Sequence, residues 1–102
     1  MRPEVPAAFE REQGFTDSEW QRCLPGAVGA HALVLPAPGQ AVVTLAGGLG
    51  TMHLSWTVLP PRRIALLSMP RLAVRYRFDG TDAGARREFM RYFDLYTQRG
   101  GG

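Results

Sequence analysis

The 102-residue chain has no lysine, no asparagine, a single isoleucine and a single cysteine. One cysteine, Cys23, excludes an internal disulfide and any cysteine-only zinc site. No apolar run approaches the length of a membrane span, and the N-terminal stretch "MRPEVPAAFEREQGFTDSEW" carries acids where an export signal needs a long apolar core. These absences lead to the expectation of a soluble, cytoplasmic protein with no membrane partner.

The missing lysine also changes how the charge is read. Arg supplies the whole Lys+Arg count of 12, and the formal net charge is +3. Lys and Asn have AT-rich codons, whereas Gly (12 residues), Pro (8 residues), Ala and most Arg codons are GC-rich. This is the composition expected of a high-GC bacterial genome, so the Arg excess says less about ligands than its size suggests. The acids concentrate at the start: Glu4, Glu10, Glu12, Asp17 and Glu19 precede a remainder dominated by Arg.

What is present outlines one α+β domain over residues 1–102, with residues 1–14 and 99–102 expected to be flexible. "VPAAFEREQG" reads as one or two helical turns ending at Gly14. In "FTDSEWQRCL", Thr16 with Glu19 forms a capping box and Phe15 with Trp20 a hydrophobic staple, so a helix starts at 16 and stops at Pro25-Gly26. Five strands follow, over 30–35, 40–46, 51–59, 62–68 and 71–78. Pro38-Gly39, "GGLG", Pro60-Pro61 and Met69-Pro70 separate them. Connections this short favour an antiparallel meander. Met52, Leu54, Trp56 and Val58 alternate with Thr51, His53, Ser55 and Thr57. Leu72, Val74, Tyr76 and Phe78 alternate with Arg71, Ala73, Arg75 and Arg77. Thr81 or Asp82 caps a last helix to about Gln98, with Ala85, Phe89, Phe93 and Tyr96 as its apolar stripe, joined by Met90 and Tyr92. Both helices are expected on one face of the sheet.

Several motifs invite a function. The ending "YTQRGGG" resembles a carrier-protein tail, but the glycines follow a helix rather than a strand, and Gly100 suits a helix C′ position. "AGGLG" lacks the following helix of a phosphate cradle and reads as a hairpin with a bulge. Cys23 lies late in its helix, away from the end where the dipole lowers a thiol pKa, and His31 and His53 match no ligand spacing with it. No catalytic residue, metal site or cofactor is assigned.

Two surfaces remain. Arg71, Arg75 and Arg77, with His53, form a basic sheet face able to bind anions or nucleic acid, although no stacking aromatics interleave with them. "RRIALLS" has apolar residues of both parities, so one of the pairs Ile64/Leu66 and Ala65/Leu67 faces away from the helices as an apolar strip. The leading expectation is a non-catalytic protein-binding or assembly module, a homodimer or a partner binder, acting through the exposed sheet face. Anion or nucleic-acid binding is the second reading. An enzyme or small-ligand pocket between helices and sheet is the third.

Overall fold

A computed structural model describes residues 4–98. The elements run β1 (Ala8–Gln13), α1 (Asp17–Val28), β2 (Ala32–Ala37), β3 (Gln40–Thr44), β4 (Thr51–Ile64), β5 (Leu67–Asp79) and α2 (Ala83–Thr97), with a short 3-10 turn over Ala46–Gly48. All neighbours in the five-stranded sheet are antiparallel, and the strand order is β1-β5-β4-β3-β2. The α+β architecture, a five-stranded antiparallel sheet with an N-terminal and a C-terminal helix, agrees with the sequence.

The strands that compose the sheet differ from those expected. The stretch "RRIALLS" is not a strand of its own. Four strands, β2 to β5, form the meander, and β1 joins β5 at the far edge. Residues 8–13, expected as helical turns within a flexible segment, pair with β5 from Ala8↔Arg77 to Gln13↔Leu72. The alternation in "AFEREQ" is the reason. Phe9 faces the helix layer and stacks on Tyr76 at 4.6 Å, while Glu10 and Glu12 lie on the opposite face. Such a stacked pair contributes about 1 kcal/mol beyond its area, which an isolated helical turn of this length could not match.

Helix α1 begins as its sequence dictates. Thr16 Oγ1 accepts the Glu19 backbone N–H at 3.1 Å, and Glu19 Oε1 accepts the Thr16 N–H at 2.9 Å. Those hydrogen bonds from Thr16 hold the Glu19 carboxyl below its ordinary pKa. Phe15 lies 5.4 Å from Trp20 as the staple requires. The helix then continues through Pro25-Gly26, against expectation, to Val28. A proline inside a helix costs roughly 3 kcal/mol. Burying one valine recovers roughly 1.5–3 kcal/mol, and the extra turn buries both Ala27 and Val28. Gly26 permits the close crossing of the two helices: a Cβ there would lie 2.8 Å from Tyr96 Cε1.

Both helices cover the same sheet face. Trp20 packs edge-on against Trp56 at 6.3 Å and Phe93 at 6.0 Å, and Phe93 meets Tyr76 at 5.9 Å. Around these rings Leu24, Val43, Met52, Leu72, Val74 and Met90 are fully buried. Asp82 caps α2 by accepting the Ala85 N–H at 2.7 Å. On α2, Thr97 is buried and Tyr92 is exposed, which shifts the stripe from the one expected. The C-cap is Gln98, and the proposed Gly100 cap lies outside the described residues. No helix among the described residues is long and apolar enough to cross a membrane.

Candidate functional site

The sheet face opposite the helices is open and carries His53, Arg75 and Arg77. Val42, His53, Arg77 and Ala8 stand in register across it, as do Gln40, Ser55, Arg75 and Glu10. His53 sits directly beside Arg77 on the neighbouring strand.

The Arg row meets carboxylates along its whole length. Arg75 Nε lies 3.4 Å from Glu10 Oε2, and Arg71 Nη1 lies 3.3 Å from Glu12 Oε2. Asp79 Oδ2 is shared by Arg77 at 3.3 Å and His53 Nε2 at 3.1 Å. These are exposed pairs, each worth at most about 1 kcal/mol, so their importance is to the surface potential rather than to stability. Read linearly, the acidic N-terminus and the basic body are separate. The pairing of β1 with β5 superimposes them and largely cancels the field of the row.

The second expected surface takes a different form. Strand β4 does not turn at Pro60-Pro61. It continues to Ile64 with a register shift between Leu59 and Arg62, and the hairpin with β5 closes at Ala65-Leu66. Beyond Thr57 and Leu72 neither strand has another sheet neighbour among the described residues, because β3 ends opposite Ser55 and β1 opposite Leu72. Proline is tolerated on a strand edge that faces no partner, and Arg71 Nε donates to the Pro60 carbonyl at 2.9 Å across the bulge. The result is a two-stranded arm over residues 58–71, roughly 20 Å long at the usual strand rise.

Ile64, Ala65, Leu66 and Leu67 therefore make the tip of this arm, not an apolar row within the sheet. Leu66 is fully exposed, and Val58, Ile64, Leu67 and Met69 are also exposed. In register, Ile64 pairs with Leu67 and Arg62 with Met69. At the base, Arg62 Nη2 reaches Glu12 Oε1 at 3.4 Å, while Arg63 makes no ion pair among the described residues. Ala65 carries φ 53, the only positive φ outside glycine among the described residues. For a residue with a Cβ that conformation costs roughly 1–2 kcal/mol. Val58, Met69, Arg62 and Arg63 belong to this surface and were not among the expected site residues. Their signal was the double proline, read as a turn when it marks a bulge.

The remaining candidates separate in space. His53 lies on the open face. His31 lies on the helix side, where Nδ1 accepts the Ala46 N–H at 2.8 Å and the ring packs 5.5 Å from Phe89. Cys23 is half-buried, with Sγ 3.7 Å from the Tyr96 carbonyl oxygen. No group of His, Cys, Asp and Glu among the described residues has the geometry of a metal site. "AGGLG" closes β3 to β4 as a loop, with Leu45 N–H donating to the Gly50 carbonyl at 2.9 Å. Gly50 is required there: its φ is 108, and a Cβ would lie 2.6 Å from the Asp79 carbonyl oxygen.

A cleft of about 400 Å³ lies between the α1–β2 connection and α2, lined by Val28, His31, Leu45, Leu49, Phe89 and Tyr92. A shallower one of about 520 Å³ is lined by Phe15, Glu19, Arg22, Cys23 and Tyr96. Neither is lined by Trp20, Trp56 or Tyr76. The buried polar cluster under the sheet is structural. Tyr76 Oη accepts from Gln13 Nε2 at 2.9 Å, and burial pushes its phenol up to about 12. Arg11 lies over the Phe9 and Tyr76 rings and pairs with Asp94 at 2.6 Å. Comparison of the chain with protein-family models and with curated proteins finds no match.

Proposed function

We propose that this protein is a non-catalytic binding or assembly module that engages a protein partner through the β4–β5 arm. The observation that carries the reading is the arm's tip, where Ile64, Leu66, Leu67 and Met69 are exposed together at the end of an uncovered ribbon. A two-stranded ribbon is marginal by itself in water, and clustered exposed apolar side chains mark interaction surfaces. The contact element is thus the arm rather than the open sheet face, whose Arg residues are already paired with Glu10, Glu12 and Asp79. Arg63, which makes no ion pair among the described residues, stands behind the tip, so the fitting partner offers an apolar groove with a carboxylate at its border.

Capture from native lysate tests the reading when three forms of the chain are compared. The partner binds the wild type and a variant with Arg75→Glu and Arg77→Glu, and is lost on the combined change Ile64→Ser, Leu66→Ser, Leu67→Ser. Loss on the sheet-face variant with retention on the tip variant would return the function to the open face. Nucleic acid recovered in place of protein, and released as salt rises, would favour the anion-binding alternative.

A further inference from the structure

The sheet has two outer edges, and they are protected very differently. Strand β1 carries Glu10, Arg11 and Glu12, so any strand approaching that edge meets charge on both faces. Charged side chains on an edge strand are a standard means of blocking unwanted pairing. Strand β2 reads "ALVLPA" and has none. The chain around it is uncharged too: no Asp, Glu, Lys or Arg lies between Arg22 and Arg62.

Val34 projects on the open face beside Val42 and is 59% exposed, and Leu35 next to it is 42% exposed. Apolar side chains on neighbouring positions of an edge strand lie on both sides of the backbone, so an added strand would cover apolar surface above and below. Outward-facing N–H and C=O groups accompany them, since among the described residues β2 pairs only with β3. Pro36, which has no N–H, and the register shift between Val34 and Ala37 confine the usable stretch to Ala32–Leu35.

We infer that β2 pairs antiparallel with β2 of a second copy of this chain. Several features select that occupant. The groups left over are backbone donors and acceptors, which only an extended segment satisfies. An uncharged strand pairs with itself without the like-charge opposition that β1 would suffer. Antiparallel self-pairing is two-fold and closes, whereas β2 against β1 would run on as an open filament and bury Glu10 and Glu12. The two-fold axis is perpendicular to the sheet. Both helix layers then lie on one side of a continuous sheet, and the two arms point to opposite ends. The β2 edge and the arm are separate surfaces, so either can fail while the other stands.

Sedimentation equilibrium of the whole chain from micromolar to millimolar concentration provides the test. The wild type shifts from the mass of one chain to twice that mass. The pair Val34→Lys, Leu35→Lys stays at one chain with an unchanged circular dichroism spectrum, and Ile64→Ser, Leu66→Ser, Leu67→Ser dimerises as the wild type does. Amide exchange at Leu33–Leu35 in the wild type slows as concentration rises, a readout that needs no variant. A wild type that remains one chain overturns the inference. So does a dimer that survives the lysine pair, one abolished by the tip change, or exchange at Leu33–Leu35 that ignores concentration.

Discussion

Strands β4 and β5 live in two environments, and the contrast between them is the most informative feature of this protein. In the body, Leu54, Trp56, Leu72, Val74 and Tyr76 are buried beneath the helices. A few residues further along the same strands, Val58, Ile64, Leu67 and Met69 are just as apolar and stand exposed. Backbone pairing is continuous apart from the bulge between Leu59 and Arg62. What changes is cover: β1 pairs no further than Leu72 and β3 no further than Ser55, and the apolar side chains beyond them are exposed. Apolar residues in the body therefore stabilise the fold, while those in the arm stay exposed.

The largest expected effect draws that line directly. Leu54→Ala, in the body, is expected to cost about 3 kcal/mol through lost burial and the cavity left behind, measured by urea unfolding. Less than about 1 kcal/mol would mean that the helix layer packs more loosely than its rings imply.

Body stability should also fall at alkaline pH. The Tyr76 phenol titrates near 10 when unfolded and at about 12 when folded, because it is buried. Its contribution is complete below pH 10 and is lost as pH rises through 12, since the folded chain keeps a proton that the unfolded chain has released. The slope over that window is about −1.4 kcal/mol per pH unit. Denaturant unfolding at several pH values, compared with Tyr76→Phe, isolates it. An equal slope in both proteins would remove Tyr76 as the cause.

In the arm, Ala65→Gly relieves the left-handed backbone at the turn and is expected to stabilise by about 1 kcal/mol. The arm lies outside the core, so thermal unfolding of the whole domain is paired with amide exchange at Ile64 and Leu67, where the gain should be larger. No gain in either would show that the turn relaxes at no cost. The smallest effect completes the contrast. Leu66→Ala is expected to change stability by less than about 0.5 kcal/mol, as exposed positions do. A loss comparable to that of Leu54→Ala would mean that the tip is already buried, by self-association through the arm.

Capping shows how much was local. Phe15, Thr16, Glu19 and Trp20 fall within residues 15–20, and Asp82 accepts from the Ala85 N–H three positions on, so short-range chemistry alone specifies both helix starts. The alternation of Met52 to Trp56 and of Leu72 to Phe78 likewise identified the buried face, because a strand's period is a backbone property. The Arg row was visible on the same grounds. Its neutralisation was not, since Glu10 and Glu12 meet Arg75 and Arg71 only after β1 crosses to the far edge.

Neighbours a few positions away were enough to set both helix starts and the inward face of the body of β4 and β5. Tertiary structure alone decided that Pro25 lies inside a helix and that "AFEREQ" is a strand. It decided too that Pro60-Pro61 bends an arm rather than ending a strand. Each of those outcomes depends on whether a distant element supplies burial or a hydrogen-bond partner at that position. Where α1 meets α2 it does, and a proline is carried through the helix; beyond Thr57 it does not, and Val58, Ile64, Leu66, Leu67 and Met69 stay exposed.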